Sequence, residues 1–488
     1  MKDKTEKFLN DLLEIAKKNF SLKKYEKSLA AIEVAAHVLY DFNQRYTDDK
    51  VEKLLLSITD EIVVDRFSKL ITDKKTVLYY DGFGLDTRGL TINYCKAIVE
   101  NDYKLIYVTS SKARNTQKHL KHELSGFNVQ YIYLNEKQSY VDKIDELTEI
   151  FIRTQSGHAF FYTQPFDVVG TVVFNGLREK VLRYQMDLTD HAFWLGVNAF
   201  DYCLDSRDIG QSIELYERHI DVGKLVRIKP SLYIDTLTEY NPLPFDTTKY
   251  RFIFSGGQLY KTYGDKNNTY YKIIDELLKT ENVFFVYAGN GDTTEIDKLI
   301  YKYPNKVFYY KEREDFYEVI KRSVFYLNTY PMFGGLMTRY AAMAGKLPLT
   351  LLHGNESDGL LINQKQLKIE YDTALDLIKD AKELLQNNSY LKQRENLLIG
   401  SVVTFENFSK NLKQLLQEQK TEYNAEFIQV DTSKFRSECL ERFNFEKTVI
   451  EAMVKKKNIM LFKEFPIVFV KGLIYKINNI LKTRRKSI

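Results

Sequence analysis

Residues 330–350 read YPMFGGLMTRYAAMAGKLPLT. The apolar run VFYLNTY leads into them as a strand would. Gly334 and Gly335 then stand side by side, and small and apolar residues follow at helical spacing until Pro348. Glycine after a strand lets the backbone pass close to a bound group, and the unpaired amides of a following helix attract an anion. Two stretches upstream are built the same way. FIFSGGQLYKTYG ends a strand at Ser255, Gly256 and Gly257, with Lys261 four residues on, and VFFVYAGNGD ends one at Gly289, Asn290 and Gly291. With Lys261 and Arg313 available as cations, the guest that suits these three loops is a diphosphate.

Outward from these loops the chain keeps one texture. From Tyr250 onward, YRFIFSGG, NVFFVYAGNGD, NKVFYYKE, VFYLNTY and LPLTLL alternate with amphipathic helical stretches. A first series precedes it from Thr76, with TVLYYDGFG, YKLIYVTS, NVQYIYLN and HAFFYTQP. Strands alternating with helices at this spacing predict right-handed βαβ units and parallel sheets covered on both faces. Between the series, YNPLPFDTTKY (residues 240–250) has the prolines and polar residues of a linker. Residues 1–70 show apolar positions at helical spacing, among them Phe8, Leu12 and Ile15 and then Leu29, Ile32, Ala36 and Leu39. The expected organisation is a helical prefix (1–70), a Rossmann-like domain (71–245), a second Rossmann-like domain (246–425) and a C-terminal helical tail (426–488). Two such domains in tandem place a ligand cleft between them, at the carboxyl ends of their strands.

Composition narrows the function classes. Of 488 residues, 44% are hydrophobic and 28% charged, with 8 prolines, which is a globular profile. Cys95, Cys203 and Cys439 are odd in number and far apart, so neither a disulfide framework nor a zinc site is indicated, and a reducing cytoplasm is expected. MKDKTEKFLNDLLEIAKKNF lacks the apolar core of a signal peptide and reads as an amphipathic helix. The net charge of +5 is unevenly placed. Residues 451–488 hold ten Lys and Arg against two acids, a net +8, which leaves the other residues at −3. That distribution argues against nucleic acid as a partner, since nucleic-acid-binding domains spread positive charge over a face.

From Tyr250 to about Leu352 the chain resembles the nucleotide-sugar-binding domain of GT-B-fold glycosyltransferases, with a C-terminal domain like that of glycosyl transferases group 1. In that family a strand–Gly-x-x-x-Lys segment, a G-x-G loop, an R-x-D segment and a glycine-rich turn surround the donor diphosphate. The matching residues here are Gly256, Gly257 and Lys261; Gly289 and Gly291; Arg313 with Asp315; and Gly334, Gly335 and Thr338. The resemblance implies an α/β GT-B architecture, two Rossmann-like domains facing each other across a cleft. It also implies a nucleotide-diphosphate sugar, of the UDP-sugar kind, as donor substrate, and neither cofactor nor metal. The chain departs from the family at Met332 and Tyr340, where many retaining members carry the two acids of E-x7-E. Its GG-L-M-T turn is closer to the Gly-Gly-Thr-Thr turn of O-GlcNAc-transferase-like enzymes.

Other candidates lie in the first series. The loop YYDGFGLDTRGLTINYCKAI offers Gly84, Asp86, Arg88 and Gly89 to donor phosphate or acceptor, or forms a plain βα turn. MDLTDHAFWLG sets Asp190 and His191 beside Trp194, the only tryptophan, where a titratable imidazole next to a carboxylate suits a general base. His158 is a second histidine candidate. Arg207 with Asp208, and Arg218 with His219, read as surface charge, and Phe308, Tyr309 and Tyr310 as core. No H-E-x-x-H, EF-hand or P-loop pattern is present.

The tail, FKEFPIVFVKGLIYKINNILKTRRKSI, mixes apolar residues and lysines with no uncharged run near the roughly 20 residues a bilayer needs. It reads as an interfacial helix that meets anionic lipid through residues 451–488, or as a helix packed on the body. The expected protein is a cytoplasmic, membrane-peripheral transferase acting on a glycan or lipid-linked acceptor of cell-surface polysaccharide or glycolipid synthesis. The alternatives are an O-GlcNAc-transferase-like protein glycosyltransferase and a catalytically inactive GT-B scaffold.

Overall fold

The structure, a computed structural model, describes residues 2–474 apart from 85–89, 236, 354–358, 434–435, 438, 440–443 and 455–457. Its body is two parallel sheets. The first holds β1 (Asp73–Asp81), β2 (Lys104–Ser110), β3 (Val129–Leu134), β4 (Ser156–Tyr162), β5 (Leu182–Met186), β6 (Tyr202–Asp205) and β7 (Leu225–Arg227), in the order β3-β2-β1-β4-β5-β6-β7. The second holds β8 (Arg251–Gly256), β9 (Val283–Ala288), β10 (Val307–Tyr310), β11 (Tyr326–Leu327), β12 (Pro348–Leu351) and β13 (Glu370–Tyr371), in the order β10-β9-β8-β11-β12-β13. Each is the doubly wound arrangement, whose order reverses at β1/β4 and at β8/β11 and opens a crevice at the carboxyl ends of those strands. The central strands carry the apolar runs. β4, SGHAFFY, is buried along its whole length because helices cover both of its faces.

The prefix is three helices. α1 (Lys2–Ser21) and α3 (Asp49–Ile62) are amphipathic, whereas α2 (Tyr25–Phe42) is apolar nearly all round because α1, the first domain and the C-terminal segment enclose it. Asp48 caps α3 by accepting the N–H groups of Lys50 and Val51. Leu12, Leu29, Leu39, Phe42, Leu55 and Ile58 share one core with β1, β4 and the helix Val168–Gly176, so the prefix is built into the first domain.

The chain also returns to that domain after the second one. Helix Phe405–Glu418 lies on helix Thr91–Glu100, with the Phe408 and Tyr94 rings 4.8 Å apart and Asn101 Nδ2 donating to Ser409 Oγ at 2.9 Å. Thereafter Ile428 N donates to Ser212 Oγ at 2.8 Å, and helix Phe445–Met453 packs on α2. Among the described residues no helix is long and apolar enough to cross a membrane.

Candidate functional site

The loops that leave β1, β4, β5, β6 and β7 on one side and β8 and β11 on the other enclose a cleft of about 820 Å³. On the second-domain side its wall carries Gly257, Lys261, Phe333, Gly334, Gly335 and Met337. Gly257 sits at φ +131°, a backbone that L side chains rarely adopt, and the β9 loop presses on its back. A Cβ at Gly289 would lie 1.7 Å from the Gly257 carbonyl oxygen.

The Gly334–Gly335 turn is held by a residue that sequence reasoning passed over. Asn328, buried at the end of β11, accepts the Gly334 N–H at 2.7 Å and the Thr329 N–H at 3.1 Å, and donates to Thr338 Oγ1 at 2.8 Å and Thr350 Oγ1 at 3.1 Å. Helix Gly335–Met343 starts there with no side-chain cap, which leaves the amides of Gly335, Leu336 and Met337 as its first-turn donors toward the cleft. Gly334 therefore shapes the turn and gives its own amide to Asn328. At Gly335 a Cβ would meet Leu360 Cδ1 at 3.0 Å, a tight contact with the tip of a side chain that would have to shift. Lys261 Nζ lies 3.4 Å from the Phe333 carbonyl oxygen, beside this turn.

Opposite stand Asp190 and His191. Asp190 is 3% exposed and is gripped through both oxygens by Arg207, whose Nε donates to Oδ2 at 2.6 Å. His191 lines the cleft with its Nδ1 3.4 Å from Asp190 Oδ1. Burial alone would raise the Asp190 pKa. The Arg207 charge and hydrogen bonds from His191 and Arg207 outweigh it and hold the carboxyl below the usual carboxylate range. The prefix braces this loop, because Asn43, just past α2, donates to the His191 carbonyl at 2.9 Å and Glu52 of α3 accepts the Gly196 N–H at 2.8 Å. Arg207 also lies over the Phe333 ring at 5.6 Å, so one guanidinium joins the two walls.

Beneath Asp190, Asp187, Asp205 and Glu214 converge, with one oxygen from each within 4.8 Å of the others. Trp194 Nε1 donates to Asp187 Oδ2 at 3.2 Å, and Cys203 Sγ lies 3.2 Å from Glu214 Oε1. Burial, then the Asp190 and Asp187 charges, push the Asp205 carboxyl well above its usual range. Burial, then Asp187 and Asp205, do the same to Glu214. Three hard oxygen donors can hold a divalent cation or share protons, and their spacing comes from the fold because no local motif joins them.

Several sequence candidates stand elsewhere. Arg313 is buried and committed to Asp315 (Nε to Oδ1 2.8 Å) and to the Asn241 carbonyl, while Asp315 Oδ2 accepts the Asn241 N–H at 2.8 Å. The pair fastens the linker and is not part of the cleft wall. Gly289 and Gly291 pack against Gly257 and Leu259, and Gly256 ends β8 beneath the turn, so these three shape the wall from behind. Thr338 is buried on Asn328. Gly84 turns back on Asp81, whose Oδ1 accepts its N–H at 2.9 Å. Asp86, Arg88 and Gly89 lie outside the described residues.

His158 lies inside the first sheet with Nδ1 3.2 Å from Tyr184 Oη, and burial lowers its pKa to about 4, so it is a neutral core residue. The reading of Arg207 and Arg218 as surface charge is overturned. Arg207 holds Asp190, and Arg218 is 3% exposed, stacked 4.6 Å over the Trp194 ring and donating to the carbonyls of Thr189, Asp190 and Ala192. Tyr340, where an acid would stand in many retaining members, is buried and donates to the Tyr233 carbonyl at 2.8 Å.

No protein-family model and no curated protein matches the chain. Solved structures do. A Listeria monocytogenes protein assigned as a UDP-N-acetylglucosamine 2-epimerase superposes with a TM-score of 0.50 at 10% identity, over 74% of this chain and all of that one. The fold is GT-B-like. A mutant form of the Thermobaculum terrenum O-GlcNAc transferase aligns over 87% of this chain and 78% of its own at a TM-score of 0.49 and 14% identity. The S. aureus MnaA–UDP co-structure aligns over 70% of this chain and 96% of its own, also at 0.49 and 14%.

Proposed function

We propose that the protein is a glycosyltransferase that moves a sugar from a nucleotide diphosphate, of the UDP class, to a hydroxyl of a glycan or lipid-linked acceptor in cell-surface polysaccharide or glycolipid synthesis. One observation carries the reading. The cleft sets an anion-accepting wall, Lys261 with the first-turn amides of Gly335–Met337, opposite an imidazole paired with a buried carboxylate, His191 with Asp190.

Each side has a task in transfer. The ammonium and helix N-terminus stabilise the diphosphate as the bond from the sugar C1 to the β-phosphate oxygen breaks. The acceptor oxygen forms the new bond to C1 and passes its proton to His191, whose ring is oriented by Asp190 and gains from that carboxylate as it becomes positive. Arg207 keeps Asp190 ionised for this role. The work is cytoplasmic, where nucleotide sugars are available, and peripheral to the inner membrane face through residues 451–488.

The test has two readouts. UDP at 100 times its Kd should add about 2.7 kcal/mol to stability, and Lys261→Ala should abolish the resulting shift in melting temperature. His191→Gln should keep the shift while lowering transfer to acceptor by roughly 10²–10⁴-fold, the usual worth of a general base. A wild type whose melting is untouched by UDP- and GDP-sugars would refute the proposal.

A further inference from the structure

Transfer needs two walls from different domains held in one register, since a misplacement of about 1 Å at the reacting atoms can cost roughly 10²-fold in rate. The second domain alone builds the phosphate wall, Lys261 with the Gly335–Met337 amides, and the first builds His191 with Asp190. One tie between them starts at helix Asp208–Tyr216. Arg207, just before it, grips Asp190. Asp208, the next residue, turns the other way and pairs with Arg227 at the end of β7.

Beside that pair the second domain inserts its backbone. Gly359, beyond β12, accepts a hydrogen bond from Lys229 Nζ on its carbonyl oxygen at 2.7 Å, with Arg227 Nη2 3.5 Å from the same oxygen. Asp208, Arg227 and Lys229 are only 6–8% exposed. An ammonium this buried has exchanged water for protein acceptors, and one of those acceptors belongs to the other domain. Gly359 sits at φ +57°, and a Cβ there would run into the Asp208 carboxylate and come within 3.0 Å of Arg227 Nη2, so glycine is what lets the loop reach the pair. The next residue, Leu360, lies buried on the cleft wall against Gly335. Contacts therefore run from Asp190 through Arg207 and Asp208 to Gly359, and through Leu360 to the first residue of the helix whose amides face the diphosphate.

We infer that Lys229, with Arg227 and Asp208, is a positioning unit that clamps the Gly359 carbonyl of the second domain and so sets the distance between the donor turn and His191. None of the three lines the cleft, so they act through Gly359 and not on substrate. The consequence for turnover rests on the sugar-transfer reading, whereas the clamp itself is measured without any ligand.

The experiment places nitroxide labels on Ile71→Cys, just before β1, and Tyr301→Cys, in the second domain, positions that are 72% and 91% exposed. Cys95 and Cys203 are buried, and Cys439→Ser removes the remaining thiol. In the ligand-free full chain, double electron–electron resonance should give a narrow distance distribution for the wild type, a broader or longer one for Lys229→Met, and a distribution close to wild type for Lys229→Arg. UDP should raise the melting temperature of Lys229→Met as it does that of the wild type, because the phosphates meet the second domain alone. Release of UDP from UDP-glucose or UDP-N-acetylglucosamine, with water as acceptor, should fall roughly 10- to 100-fold in kcat while the donor KM changes by less than about twofold. Should Lys229→Met melt early, Gly359→Ala breaks the same bond from the second domain, takes its place and must widen the distribution. An unchanged distance distribution would overturn the inference, and so would a loss of kcat matched by loss of the UDP-induced melting shift. A wild type that neither binds nor releases UDP would remove the sugar-transfer reading and leave the clamp to be judged on the distances.

Discussion

Glu52→Gln tests whether the helical prefix braces the cleft. Glu52 is fully buried in α3, where its Oε1 accepts the Gly196 N–H at 2.8 Å on the loop that carries His191. Burial raises its pKa from 4.5 to about 7, more than the Gly196 and Val197 amides lower it, and the charges of Asp48 and Asp49 add to the rise. The folded state thus holds this proton more tightly than the unfolded chain. Its contribution is fully present below about pH 4.5 and is lost as pH rises through 7. At 1.36 kcal/mol per unit, the loss is about 3 kcal/mol. Gln keeps a carbonyl oxygen for Gly196 and carries no charge, so the variant should lack this slope. Its stability relative to wild type should rise by about 3 kcal/mol between pH 4 and pH 8. Urea unfolding followed through Trp194, the sole tryptophan, which lies in the braced loop itself, measures the difference at each pH. A gap between variant and wild type that is the same at both pH values would refute the reasoning.

Arg207→Ala would leave Asp190 buried without its two-point partner and should cost about 3–5 kcal/mol in urea unfolding, with much of the loss recovered by adding Asp190→Asn. Because the Asp190 pKa is depressed in the fold, the stability that pairing gives is present at neutral pH and lost in acid, so the cost should shrink as pH falls. Asn328→Ala removes the acceptor of the Gly334 amide and the donor to Thr338 and Thr350. It should cost about 1–3 kcal/mol for each buried group left unpaired and reduce the UDP-induced melting shift.

What could be read from the sequence was whatever neighbours along the chain decide. The alternation of apolar runs and amphipathic stretches follows from strands covered on both faces, and it exposed both sheets without any contact being known. The glycine turns were visible for the same reason. Their individual duties were not, because Gly334 owes its amide to a residue six positions earlier and Gly289 owes its small size to a carbonyl in the preceding βαβ unit.

Charged residues were the least legible. A guanidinium beside a carboxylate in sequence looks like solvated charge, yet Arg207 turns away from Asp208 to Asp190, seventeen positions back, and Asp208 pairs with Arg227 instead. Burial is what makes those choices matter, since an unpaired charge costs little at a surface and several kcal/mol inside. The same logic explains the prefix. Asn43 and Glu52 look like ordinary polar positions on surface helices, but they spend buried hydrogen bonds on the 187–200 loop. The sequence signal that marks them is an α2 that is apolar nearly all round, with only a narrow polar stripe of Glu26, Glu33, His37 and Asp41. Such a helix must be enclosed, and in this fold what encloses it includes the wall of the cleft that presents His191.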